Sequence, residues 1–177
     1  MLFLLRRGAF LGVSLAALWL APAGAEMLQF PTPGGMKSWP KLETITDWHQ
    51  DQETSMKLAA NVIIPDGVDP ATADMKIEAR GFPRNGRSLF EFIAADQAAN
   101  SGATAQKQAD IYDRDKLPFT IVTFAPATGS NWKTVGYAEE GDTLLAFTLV
   151  ATSKPAHDKG LPIFAEVIHK YAKDIPW

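Results

Sequence analysis

Polar and apolar residues alternate most clearly over residues 74–82. Met75, Ile77 and Ala79 share one parity there, and Lys76, Glu78 and Arg80 the other. An extended chain sends successive side chains to opposite sides, so this pattern predicts a strand with one buried and one wet face. Residues 56–65 end in the β-branched run Asn61-Val62-Ile63-Ile64, stopped by Pro65-Asp66-Gly67, which predicts a strand and then a turn. Pro83-Arg84-Asn85-Gly86 is a turn, and a helix follows it. Ser88 and Glu91 have the spacing of a capping box, Leu89, Phe92 and Ile93 recur at helical intervals, and Asn100-Ser101-Gly102 closes the segment.

Residues 105–112 are weakly patterned for strand, whereas residues 119–124 are strongly so. Residues 132–139 and 143–151 form the clearest hairpin, joined around Glu140-Gly141-Asp142. In its second arm Leu145, Phe147 and Leu149 alternate with Leu144, Ala146, Thr148 and Val150. Both faces are mostly apolar, which predicts a central strand covered on both sides. A last helix is expected over residues 159–173, with Pro162 in its first turn and Ile163, Phe164, Val167, Ile168 and Tyr171 as its core stripe. The order strands, helix, antiparallel strands, helix predicts an α+β fold, an antiparallel sheet flanked by helices in an α-β-α sandwich.

The leading residues change the picture of where this fold works. Arg6 and Arg7 precede an uncharged run of about 13 residues, and Ala21-Pro22-Ala23-Gly24-Ala25 follows it. These are the three regions of a secretory signal, with small residues at the −3 and −1 positions of a cut after Ala25. The run is short of the ~20 residues that span a bilayer core. Residues 1–25 are therefore expected to be a cleaved signal for the periplasm, by the general secretory route ahead of the twin-arginine one, and no integral membrane segment remains after cleavage. Residues 26–55 read as an extended lead-in and first strand, with Trp39 or Trp48 docked on the domain, and residues 56–177 as a single α+β domain.

Composition then removes possibilities. The chain has no cysteine, so disulfides, thiol catalysis, Cys-ligated zinc and an N-terminal lipidated cysteine are excluded. It carries 17 Lys+Arg against 20 Asp+Glu, and loss of Arg6 and Arg7 moves its net charge from −3 to near −5. With no basic run longer than two residues, a nucleic-acid partner is not expected.

The second half has a family pattern. An aromatic strand (residues 132–137), the acidic turn Glu140-Gly141-Asp142, an apolar strand (residues 143–152) and a polar linker lead to a terminal helix bearing Pro162-Ile163-Phe164. This order resembles the PsbP/Mog1-like α-β-α sandwich, which includes the DcrB-type bacterial envelope proteins. The likeness covers residues 77–171; residues 44–49 are the nearest counterpart of the family's opening Pro-x-Gly-Trp turn. The resemblance implies a binding, assembly or accessory module that shares no catalytic constellation with its relatives, and it carries no functional residues across.

Candidate chemistry is sparse. No nucleophile elbow, P-loop or dinucleotide fingerprint occurs, so no catalytic residue and no cofactor is expected. If residues 47–53 are a strand, Asp47, His49, Asp51 and Glu53 share a face, and His49, Asp51 and Glu53 become candidate ligands for a divalent cation. Arg84 and Arg87, just before a helix start, suit a small anion. Trp48, Trp132 and the terminal Trp177 complete the candidate binding surface. His157 is read as an exposed linker residue, and His169 as a cation at a helix C-terminus. The function expected is a non-catalytic periplasmic accessory or binding protein whose partner is an envelope protein or small ligand. The alternatives are a small metal-dependent envelope enzyme built on His49, Asp51 and Glu53, and a periplasmic immunity protein or inhibitor.

Overall fold

The predicted hairpin is the centre of the sheet. Strand β9 (Trp132–Glu140) turns through Gly141 into β10 (Thr143–Ala151), and Gly141 takes the left-handed φ of 57° that the tight turn requires. The computed structural model describes residues 27–32, 35–128 and 131–172. The expected signal (residues 1–25) and Trp177 lie outside them. On its other side β10 pairs with β5 (Met75–Pro83), and β4 (Asn61–Pro65) and β3 (Trp48–Gln50) extend that wing. Beyond β9 lies β8 (Pro118–Pro126), whose free side pairs with β6 (Ala103–Lys107) and the short β7 (Ile111–Tyr112). All neighbours are antiparallel in this eight-stranded sheet of order β3-β4-β5-β10-β9-β8-β6. A separate hairpin, β1 (Met27–Thr32) with β2 (Gly35–Pro40), occupies the first part of the expected extended lead-in.

Three helices accompany the sheet, which makes the fold α+β. The first, α1 (Gln52–Leu58), is capped by Asp51, and α2 (Leu89–Ala99) has both bonds of the expected Ser88–Glu91 capping box. The third, α3 (Lys154–Lys170), starts earlier than the sequence suggests. Ser153 caps it and Pro155 sits in its first turn, so Pro162 falls in the interior. Its ring removes the N–H that would bond the Asp158 carbonyl. Pro162 and Asp158 are both exposed, so the interruption lies on the outer side of the helix.

Alternation along the strands sorts the core into two layers. Leu145, Phe147, Leu149, Ile77 and Phe119 face α3 and pack on Phe164, Val167, Ile168 and Tyr171. Val122, Phe124, Val135, Tyr137 and Ala146 face the other way, toward Leu89, Phe92 and Ile93 of α2. Val62 and Ile64 form a smaller cluster under α1 on that same second face. Burial of β10 on both sides matches the expectation from its doubly apolar pattern.

Two glycines let α3 come close to the sheet. A Cβ on Gly160 would lie 2.8 Å from Leu149 Cδ1 and 3.2 Å from Met75 Sδ, and one on Gly136 would lie 2.9 Å from Ile168 Cδ1. Alanine at a helix interior is ordinarily favoured over glycine by about 1 kcal/mol. Overpacking a closed core costs about 1–3 kcal/mol, and Leu149 is fully buried with little room to yield. Gly160→Ala is therefore expected to be a net loss of up to about 2 kcal/mol, read as a lower urea midpoint. Gly102→Ala, where the added Cβ meets nothing within 4 Å, should shift it by less than about 0.5 kcal/mol. Equal midpoints for the two variants would contradict the close-approach account.

Candidate functional site

The helices are narrower than the sheet, and each face keeps an uncovered strip. On the α3 face the strip is a groove of about 560 Å³ between α3 and β6. Its floor is Ile121, Thr123 and Ala125 of β8 with Trp132 and Thr134 of β9. Thr104 and Gln106 of β6 rise on one side, and His157, Leu161 and Phe164 of α3 on the other. These three helix residues recur at four- and three-residue steps, so one face of α3 supplies both the groove wall and the core.

His157 is not the exposed linker residue that the sequence predicts. The early start of α3 puts it one turn into the helix, only 2% exposed, rather than in an exposed linker. Its Nε2 is 2.8 Å from Thr134 Oγ1, which is 2.9 Å from Thr123 Oγ1, forming a continuous chain of hydrogen bonds across the floor. Its Nδ1 is buried and has no hydrogen-bond partner. Asp158 Oδ1 lies 3.6 Å away, too far for a hydrogen bond, while Oδ2 of that carboxylate accepts from Lys154 Nζ at 2.5 Å. The Trp132 ring packs against the imidazole with centroids 5.4 Å apart, and Lys154 Nζ stands 5.6 Å from the indole centroid.

Burial pushes the His157 pKa below its ordinary value, more strongly than the nearby Asp158 raises it. The imidazole is thus neutral at pH 7, and Lys154 and Asp158 offset each other, so the groove has no net charge. A hydroxyl, an imidazole and a carboxylate in sequence have the composition of a nucleophilic relay. The geometry does not support one. Thr134 is only 1% exposed and its hydroxyl is held between Thr123 and His157, while Asp158 is bound to Lys154. The chain positions the imidazole and fixes the floor.

The other expected site residues are dispersed. Residues 47–53 are not one strand: β3 ends at Gln50, Asp51 caps α1 by accepting from Thr54 N at 2.7 Å, and Glu53 lies in the first helical turn. Alternation therefore does not align His49, Asp51 and Glu53. His49 Nδ1 bonds Asp66 Oδ1 at 2.8 Å, and hydrogen bonds from Thr54 hold the Asp51 pKa down. Among the described residues no group of three or more His, Asp or Glu side chains is arranged to hold a metal ion. Trp48 is buried in the core, 7% exposed. Arg84 pairs with Glu139 and donates from Nε to the Arg87 carbonyl at 3.0 Å. Arg87 lies over Phe92, 5.6 Å from its centroid, at a second groove on the opposite face of the sheet from Trp132. His169 Nδ1 is 2.7 Å from the Tyr112 carbonyl near the end of α3.

A signal for His157 was present in the sequence. Continuing the stripe of Phe164, Val167 and Ile168 back by seven residues from Phe164 reaches His157, and Ser153 is a good cap for a helix beginning at Lys154.

A depressed histidine pKa means that the unfolded chain binds the proton more readily. The stability linked to His157 is then fully present above the ordinary histidine pKa of about 6.5 and declines as pH falls toward the lowered folded value. The melting temperature is expected to drop between about pH 7.5 and pH 5.5. His157→Gln, which does not titrate, should reduce that drop; an unchanged pH profile in the variant would contradict a neutral, buried His157.

No family model matches the chain, and no curated protein matches it. Among solved structures it is similar to a Pseudomonas aeruginosa protein of unknown function, with 8% identity, 85% of this chain and 99% of that one covered, and a TM-score of 0.48. It is also similar to the cyanobacterial PsbP protein of Synechocystis, with 11% identity, 84% and 92% coverage, and a TM-score of 0.42. Both likenesses are weak.

Proposed function

We propose that the chain is a non-catalytic accessory or binding protein of the bacterial envelope, and that it holds an uncharged small ligand in the groove between α3 and β6. The observation that carries this reading is the groove's make-up. It has the Trp132 indole beside Ile121 and Ala125 in its floor, hydrogen-bonding Thr104 and Gln106 at its rim, and a charge balance of zero. A concave site of a few hundred Å³ with an apolar surface and a few convergent polar groups is the usual form of a small-molecule site. A ligand with one apolar face would stack on the indole and turn its hydroxyl or amide edge toward β6.

Two sequence features support the setting. Residues 1–25 have the three regions of an export signal, and the element order of residues 77–171 resembles that of DcrB-type envelope domains. The buried hydroxyl of Thr134 and the pairing of Asp158 with Lys154 favour holding a ligand over transforming one.

The full-length chain expressed in a Gram-negative host is expected in the periplasmic fraction with Glu26 as its first residue. Native mass spectrometry of that material should show an added small mass that Trp132→Ala loses while its melting curve stays cooperative. Cytoplasmic retention with an intact N-terminus would end the envelope reading, and identical ligand-free masses for both proteins would end the groove reading. A protein retained in stoichiometric amount would replace it with the inhibitor alternative.

A further inference from the structure

The second groove, about 580 Å³ on the α2 face, has a different character. The register of the three central strands defines its floor. Val150 of β10 stands opposite Lys76 on β5 and opposite Lys133 on β9, so the two lysines flank a valine on one rung. Antiparallel neighbours share a face, and two strand spacings put the lysine backbones about 10 Å apart. The next two rungs are Glu78–Thr148–Val135 and Arg80–Ala146–Tyr137. The floor therefore passes from the two lysines to Val135, Ala146 and Tyr137 on its β9 and β10 side, with Glu78 and Arg80 along its β5 side, and Phe82 and Phe92 close the far end.

Small side chains keep the groove open. Ala146 and Thr148 on the sheet face Ala95 and Ala99 on α2, and α2 itself buries no residue completely. Charge within it is unbalanced. Lys76 and Arg80 share the single carboxylate of Glu78, at 3.0 and 2.8 Å. Lys133 Nζ donates to the neutral Asn100 Oδ1 at 3.0 Å, and Arg80 Nε is buried without a partner. Asp96 accepts from the Tyr137 hydroxyl, and Arg87 lies on the Phe92 ring. Lys76, Arg80, Arg87 and Lys133 thus stand against Glu78 and Asp96 of the lining, with Glu91 beside Arg87, in a chain whose net charge is −3. A locally positive concave surface in an acidic protein attracts anions selectively.

We infer that the α2-face groove is a binding site for a free, single-chain anionic amphiphile. Its carboxylate or phosphate head is held on the Lys76–Lys133 rung, and its hydrocarbon body lies over Val135 and Ala146 beneath Phe92. A bare anion would leave the apolar floor unused, and an uncharged hydrocarbon would leave Lys133, which bonds the neutral Asn100, without a counter-charge. This site lies on the opposite face from Trp132 and does not depend on the ligand proposed there.

Calorimetric titration of the mature protein (residues 26–177) with decanoate and with decyl phosphate tests the assignment. Both should bind, more weakly as ionic strength rises. The double substitution Lys76→Gln with Lys133→Gln should lower both affinities roughly tenfold, as loss of two charge contacts would. Ala95→Trp, at an exposed helix position lining the groove, should abolish binding without loss of the folded state, whereas Trp132→Ala should leave it unchanged. Three results would each overturn the proposal: decyltrimethylammonium binding as tightly as decanoate, inorganic phosphate binding as tightly as decyl phosphate, or unaltered affinity in the double variant. Capture by anionic phospholipid vesicles without binding of free decyl phosphate would likewise overturn it, in favour of a membrane surface.

Discussion

Strand β10 carries bulky apolar side chains on both faces, and most of the architecture answers that one condition. Leu145, Phe147 and Leu149 on one side and Leu144 on the other are fully buried, each worth roughly 1.5–3 kcal/mol against exposure. A sheet built around such a strand needs a layer above and a layer below. On one side the layer is α3, long and closely seated. On the other it is divided: α1 covers the β4 end and α2 covers β9 and β8. Eight strands are wider than these covers, so the uncovered strips become grooves whose floors are the outward continuations of the same alternation that builds the core.

The two grooves differ because the strips expose different strands. Beside α3 the strip falls on β8 and β6, where threonine and glutamine alternate inward, and the charges at the rim cancel in the Lys154–Asp158 pair. Beside α2 it falls on β5 and β10, where the wet parity of β5 brings Lys76, Glu78 and Arg80 into the concavity. The sequence pattern that marks β5 as half-exposed is thus also what charges the second groove.

Local signals carried most of the fold. Strict alternation at residues 74–82, the Ser88–Glu91 cap and the Glu140-Gly141-Asp142 turn each act over a few residues, and each appears where the pattern places it. The structure departs from the local pattern where one residue has two readings. Pro162 fits a first turn, which would start α3 well after Ser153, whereas Ser153 caps the helix and Pro162 falls in its interior. Residues 47–53 alternate well enough for a strand, but Asp51 is a better cap than strand residue, and α1 begins there. Trp132 stood out as a large aromatic on a strand. Its partnership with His157 did not, because it depends on how α3 crosses the sheet, and no local pattern records a crossing.

That crossing is indexed at two points by missing side chains. Gly160 is a gap in the helix that receives Leu149 of the sheet, and Gly136 is a gap in the sheet that receives Ile168 of the helix. The gaps lie on opposite partners, about 12 Å apart along the helix axis at the usual rise per residue. A helix keyed this way can neither slide along the strands nor roll about its axis without one knob leaving its hole. His157, less than one turn before Gly160, therefore takes its position over Thr134 from the core rather than from anything it binds. The outer wall of the groove on β6 can then change its side chains while the imidazole stays in place.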